Sequence, residues 1–301
     1  MMTSERKKPE IELFIKASNI DGVRNGACIF CHKWFMVLYQ KSKSNELALT
    51  VTTVNMKQYP KEIKELTHSQ PPILLNEDLA MPEERILDHL REEFPDPEMF
   101  ASRDNVKKKI ENVYSKFNHF LAATNEESEQ RAEKSLLYEL QTINNHLAHQ
   151  MTNYLCGDQL SIYDCELMPK LQHIRVAGRA YKKFEIPHAL SYLWTYIANM
   201  YQLDAFKETC PADQDIIANY RGKAKSDFIG SPRAQEALEQ PTYTLDTPNI
   251  PGIFPGILPT KTNGIDNGNH HHQTSIDISN YGTNSSLHSS NSNGEDEYPP
   301  Y

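Results

Sequence analysis

The sequence predicts an α/β half, then an all-α half, then a tail with no packed core. Three observations carry this. Strand and helix patterns alternate up to about Pro95, and only helix patterns follow. After about Arg221, Ser, Asn, Gly, Thr and Pro take the place of large apolar residues. The expected units are 1–95, 96–224 and 225–301.

Pro9–Ala17 (PEIELFIKA) alternates apolar and polar and reads as a strand. Ser18–Ala27 is a loop rich in Gly, Asn and Asp. Cys28–Lys41 has the apolar density of a buried helix, with Trp34, Phe35, Val37 and Leu38 as its body. Leu47–Val54 is β-branched and reads as a second strand. Gln70-Pro71-Pro72-Ile73-Leu74-Leu75 is a turn running into a short third strand. A helix is expected over Pro82–Glu93, with Pro82 suited to its first turn. Strand–helix–strand units imply parallel pairing and a covered sheet.

Past Pro95 the expected helices are Asp104–Ala123, Glu129–Tyr154, Ile162–Gly178, Pro187–Tyr201 and Ala212–Tyr220. One start is well specified. In Leu160-Ser161-Ile162-Tyr163-Asp164-Cys165, Ser161 caps the helix and Asp164 reaches back to the Ser161 amide. Leu160 and Cys165 take the staple positions. Pro169 removes one helical hydrogen bond. Tyr192, Trp194, Tyr196 and Tyr201 fall near helical spacing and read as core.

The chain of 301 residues carries 31 Lys and Arg against 40 Asp and Glu, a formal charge of −9. That speaks against a nucleic-acid binder, which shows a basic face, and gives no general attraction to anionic lipid. Met1–Glu10 is polar, with no apolar segment of the secretory kind. The five cysteines read as reduced thiols of the cytoplasm. No run reaches the roughly 20 apolar residues that span a bilayer.

Cys28-Ile29-Phe30-Cys31 follows a strand and loop and opens a helix, the context of a thioredoxin-type thiol site. Unpaired amides and the helix dipole at that end favour a Cys28 thiolate. Cys31, one turn in, is placed to resolve a mixed disulfide. His32 and Lys33 are expected to add positive potential. Pro72, before the third strand, suits a cis bond bordering the same pocket. The plainer reading is that both cysteines fill apolar space in a buried helix. A zinc site needs two further ligands; Cys156, Cys165 and Cys210 lack paired spacing, so no metal is expected.

Arg175, Arg179, Lys182 and Lys183 read either as cations at a helix C-terminus or as an import signal. Lys61–Glu65 and Glu126–Lys134 read as solvated charge runs. In the tail, Ile250–Leu258 is the one apolar stretch, His270–His272 is expected to be solvated, and Tyr298–Tyr301 matches a WW-domain ligand only loosely.

Several long segments carry a resemblance. They are Gly26–Cys31 with Phe35–Leu38, Val51–Asn55, Gln70–Leu75, Tyr163–Leu171, Phe184–Pro187 and Thr209–Asp213. From about Ile11 to Lys223 the chain resembles the chloride intracellular channel family, in its invertebrate branch. The resemblance implies a glutathione-transferase-like fold closest to the omega class, with a thioredoxin-fold half and a helical half. It implies a redox-controlled protein, cytoplasmic and conditionally membrane-associated, with proposed anion-channel activity. The resemblance also implies a monomer in solution and an oligomer if membrane-inserted. The alternatives are glutathione-dependent thiol–disulfide exchange at Cys28, with Cys31 as second catalytic thiol, and a non-catalytic scaffold. Glutathione would meet Cys28, Pro71, Pro72 and Glu83. Protein thiols, membrane lipid and cytoskeletal or scaffold proteins are the further partners implied.

The sequence departs from the family pattern in three places. Ile29 and Cys31 stand where vertebrate members have Pro and Ser. Pro82-Glu83 replaces an acidic-and-hydroxyl pair. The long acidic loop of vertebrate members before the capped helix is missing, His149–Gln159 being short. Separately, the segment implied to enter membranes, Cys28–Val54, holds Lys33, Lys41, Lys43 and Glu46. Each charge at a bilayer centre costs roughly 2.5–3.5 kcal/mol on insertion scales.

Overall fold

The computed structural model describes residues 8–224 and 240–249, and the backbone of 277–280. Ile250–Leu258, His270–His272, Tyr298–Tyr301 and most of the expected tail lie outside the described residues.

The first half is strand β1 (Glu10–Lys16), helix α1 (Ile29–Lys43), strand β2 (Ala48–Val54), helix α2 (Lys61–Leu66), strands β3 (Ile73–Asn76) and β4 (Leu79–Pro82), and helix α3 (Glu83–Glu93). β1 pairs parallel with β2, Leu13 opposite Val51. β3 runs antiparallel to β1, and β4 to β3. A backbone strand β5 (Asp277–Asn280) adds in parallel to the outer edge of β2, giving the order β4-β3-β1-β2-β5. The expectation of parallel pairing thus holds for β1–β2, while β3 and β4 make the sheet mixed.

Short elements escape the sequence reading, β4 and α2 among them. β4 is four residues, too few to show alternation. α2 looks like a solvated charge run, yet its Ile63 is buried under the sheet with Phe14, Val54 and Ile73. Pro82 does not enter α3; it ends β4 and caps the helix at φ −70°, ψ 168°.

The second half is helical: α4 (Pro97–Phe100), α5 (Asp104–Ile110), α6 (Val113–Ala122), α7 (Glu126–Gln150), α8 (Ile162–Lys182), α9 (Ser191–Gln202), α10 (Asp204–Lys207) and α11 (Asp213–Asn219). The single helix expected over Asp104–Ala123 is broken at Glu111-Asn112. α8 lies at the centre, packed against α1, α5, α6 and α11. Its start is as expected: the Ser161 amide and hydroxyl both donate to Asp164 Oδ2 (2.8 and 2.6 Å). The helix continues through Pro169 to Lys182.

One continuous apolar core spans both halves, from Leu13, Trp34 and Val37 to Leu167, Trp194 and Phe206. Tyr192 is the exception in the aromatic set, at 45% exposed, because it sits on the outer side of α9.

Residues 240–249 depart from the expected tail. They pack on the helical half, with Leu245 against the core, because Gln172, Arg175, Asp213 and Gln214 satisfy their backbone groups.

Candidate thiol site

The site begins at the end of β1. The chain leaves Lys16, loops through Ser18–Asn25 and returns beside β1, where Gly26 N–H donates to Lys16 O (2.8 Å). A Cβ at Gly26 would lie 2.4 Å from Ala17 O, so only glycine lets the loop pass this close. That passage sets Cys28 as the N-cap of α1.

The Cys28 thiol is lowered to about 6. The Cys31 thiol donating to it is the largest cause. Burial opposes the shift, and the Cys31 amide, the Lys16 cation and the Phe30 amide add to it. Cys31 is fully buried, and burial followed by the neighbouring Cys28 charge pushes its thiol up. The Cys31 Sγ also accepts the Lys16 amide at 3.4 Å. The pair is therefore polarised, with a thiolate outside and a protonated thiol inside. All five cysteines are free.

His32 does not supply positive potential. It is buried against Phe206 without a hydrogen-bond partner, and burial lowers its pKa to about 3. Lys33 is engaged elsewhere, 3.7 Å from both Glu83 and Glu166 and above the Trp34 ring. The cation that acts on Cys28 is Lys16. A polar chain approaches from the helical half as well. Tyr220 donates to Tyr114 at 3.2 Å, and His173 Nδ1 meets the Tyr220 hydroxyl at 2.8 Å. Burial raises both tyrosine pKa values, and the Cys28 charge adds to the rise. Sequence patterns missed Lys16, Tyr114 and Tyr220 because each reaches the thiol only through the fold. The one sequence signal was a lysine ending the strand before the motif.

Pro71–Pro72 is a cis peptide bond leading into β3. Glu83 opens α3, and its Oε1 accepts the Trp34 indole N–H at 3.0 Å. Through Trp34 and Lys33, the structure ties Glu83 to α1, the helix that Cys28 caps. On the other side of α1, a cavity of 340 Å³ is lined by Ile29, Phe30, Lys33, Tyr114, Glu166 and Lys170. Its lining takes in Ile29 and Phe30, the two residues between the cysteines, but neither cysteine. Larger hollows of 470 and 600 Å³ lie at the far end of β1 and along α3, and neither contains a cysteine.

Residues 9–97 match the family model of the CLIC-like N-terminal domain. The chain is 44% identical over 245 residues to the chloride intracellular channel Clic of Drosophila melanogaster, covering 80% of this chain and 90% of that one.

The chain belongs to the chloride intracellular channel family.

The crystal structure of the family's Caenorhabditis elegans homologue EXC-4 superposes with a TM-score of 0.72 at 34% identity, over 80% of this chain and 95% of that one. The fold is that of the glutathione transferases. Omega 3C from Trametes versicolor matches at a TM-score of 0.53 and 15% identity, over 66% of this chain and 88% of that one.

Among the described residues no three His, Cys, Asp or Glu side chains cluster to hold a metal ion. No described helix is long and apolar enough to cross a membrane. Three of the four basic residues before Phe184 are occupied: Arg175 is buried, Arg179 pairs with Glu185, and Lys182 pairs with Glu129, while Lys183 is exposed.

Proposed function

We propose that this protein carries out thiol–disulfide exchange at Cys28, using glutathione as reductant. The carrying observation is the polarised pair, a Cys28 thiol lowered to about 6 over a buried, protonated Cys31. A thiolate near neutral pH is the competent nucleophile. The Cys28 sulfur attacks one sulfur of a substrate disulfide. That bond breaks, one half stays on Cys28 as a mixed disulfide, and the other leaves as a thiolate that takes a proton from water. Cys31 then gives up its proton, attacks Cys28 and releases the second half, leaving a Cys28–Cys31 disulfide.

Glutathione supplies the two thiols, and so the two electrons, that return both cysteines to their reduced form. The residues fit its thiol end. Cys28 is half-buried, and its chain neighbours Ile29 and Phe30 line the cavity of 340 Å³. At the amine end the chain offers Glu83, whose side chain is 31% exposed. Pro82 contributes no hydroxyl there, so weak glutathione affinity is expected.

The test is glutathione-dependent reduction of a small disulfide by the full chain. Cys28→Ser is expected to fall to background and Cys31→Ser to retain part of the rate. Wild type no faster than Cys28→Ser would reject the reading.

A second reading follows from the name of the Drosophila relative, a chloride intracellular channel. Lys41 bears on it. This residue of α1 is buried between Glu46 (2.9 Å) and Asp96 (3.0 Å). Entry of α1 into a bilayer requires both pairs to break, so a conducting state needs a different packing of this half. Chloride efflux from liposomes tests it: Lys41→Met is expected to raise efflux over wild type. Absence of efflux from either protein would reject a channel formed by this chain alone.

A further inference from the structure

The segment 240–249 bonds to α8 and α11, and its bonding pattern has a period of two. Gln214 Nε2 donates to Gln240 O at 3.3 Å. The Thr242 amide donates to Gln214 Oε1 (3.1 Å), and Thr242 O accepts the Asp213 amide (2.8 Å). The Thr244 amide donates to Asp213 Oδ1 (3.1 Å), and Thr244 O accepts Gln172 Nε2 (2.9 Å). Asp246 O accepts Arg175 Nη1 at 2.9 Å. Residues 240, 242, 244 and 246 face the protein, as alternate residues of an extended chain do. Two hydroxyls are read as well. Thr244 Oγ1 donates to Asp213 Oδ2 (2.8 Å), and Thr242 Oγ1 accepts Gln214 Nε2 (3.0 Å).

On its α8 side the receiving surface is built from buried polar side chains. Gln172 and Arg175 project from α8 and are buried. Arg175 also donates to the Tyr201 hydroxyl at 2.7 Å and lies over the Trp194 and Tyr201 rings. Packing so dense leaves the guanidinium few rotamers, which lowers the entropy lost on binding. Of the strap's own side chains, Tyr243 is 45% exposed. Recognition therefore rests on backbone groups, the hydroxyls of Thr242 and Thr244, and the apolar side chain of Leu245 against the core.

We propose that this groove of α8 and α11 is a peptide-recognition site that this chain's own segment occupies in cis. Its ligand in trans is an extended segment of a partner protein with hydroxyl residues two positions apart followed by an aliphatic residue, the chemistry of Thr242, Thr244 and Leu245. Main-chain bonds give affinity in such a mode, and alternate side chains give specificity. The tethered segment competes with any such partner, because an intramolecular ligand gains roughly 10²–10⁴-fold over a free one.

The test uses the full chain and a fluorescent peptide of sequence QPTYTLDTPN, read by anisotropy. The double variant Thr242→Pro, Thr244→Pro removes both strap amides that donate to the groove and leaves the groove untouched. It is expected to bind the peptide at least tenfold more tightly than wild type. Adding Asp213→Ala to that variant is expected to lose at least tenfold. Equal binding by wild type and the double variant, or binding indifferent to Asp213, would overturn the proposal. Should the double variant not fold, amide exchange on the wild-type chain decides: excess peptide is expected to speed exchange at Thr242 and Thr244, and unchanged rates would overturn it. A wild-type dimer dispersed by the peptide would assign the groove to a second copy of this chain and overturn the partner reading.

Discussion

Cys28 and Cys31 divide one proton unequally, and that division can be measured. Alkylation of Cys28 by iodoacetamide, followed by mass spectrometry of its peptide, is expected to reach half its maximal rate near pH 6. An ordinary thiol does so near about 8.5. Cys31→Ala removes the strongest cause and is expected to move the midpoint upward further than Lys16→Met. The reverse order would mean that the lysine charge, and not the inner thiol, sets the nucleophile. The spacing of the two cysteines made them legible in the sequence, since a helix start needs only local residues. Lys16 was not legible, because its effect depends on β1 ending beside the motif. His32 was misjudged for a related reason: a polar residue after Cys31 looks like a cation until Phe206 closes over it. Its neutrality has its own signature. His32 and His173 both have pKa values lowered to about 3 by burial, with the His173 charge adding at His32. An unfolded imidazole titrates near about 6.5. Below that pH the unfolded chain binds protons that the folded chain refuses, so stability falls with falling pH until about pH 3. The slope reaches about 1.4 kcal/mol per pH unit for each ring. Asp213 and Asp215, raised chiefly by burial, work in the opposite sense. Urea unfolding between pH 6.5 and 4.5 should therefore show a shallower loss for His32→Leu than for wild type; equal slopes would clear His32 of the effect.

Helix α8 shows how much one helix start can hold. Asp164 is fully buried and takes the Leu155 amide at 2.9 Å as well as the Ser161 amide and hydroxyl. Asp164→Ala strands two amides in the interior, each at roughly 1–3 kcal/mol. A loss of about 2–6 kcal/mol in urea unfolding is expected on that basis. Ser161→Ala should lose only about 1 kcal/mol, and equal losses would contradict the ranking. The capping box was plain in the sequence because cap, reach-back residue and staple all lie within six positions. The bond to Leu155 was not, because it follows from the turn preceding the helix. The break between α5 and α6 escaped notice for want of a Pro or Gly at Glu111-Asn112. Val106, Ile110, Val113 and Phe117 are all buried on either side of it, so one apolar stripe ran through two helices.

At the scale of the whole molecule, the two halves share one core, with α1 pressed against α8 and α10. Cooperative unfolding follows from that continuity. The chain supplies its own probes, for it has two tryptophans, Trp34 in the first half and Trp194 in the second. Both are buried; Trp34 is held by Glu83 and Trp194 by Pro187 O. Fluorescence of Trp34→Phe and Trp194→Phe, each reporting the opposite half, is expected to give coincident urea midpoints once the small effect of each substitution is subtracted. Separate midpoints would show that the halves unfold independently. Composition and periodicity foretold the α/β-then-α order. Residues 240–249 escaped because their bonds are made by backbone groups, which composition does not report.

The Ser18 hydroxyl donates to Asp215, 197 residues further along the chain, and Arg24 lies 3.9 Å from the same carboxylate. A ribosome adds roughly 5–20 residues per second, so the loop that carries Ser18 emerges about 10–40 s before its partner is made. Throughout that interval the nascent chain already contains its thiol motif, while the side of α1 that α8 and α10 cover has nothing upon it. Translation order therefore sets when the site is finished: the last of the described helices is the one that fastens the first loop. A polypeptide halted short of Asp215 would bear the cysteines without the junction that fastens the loop before them.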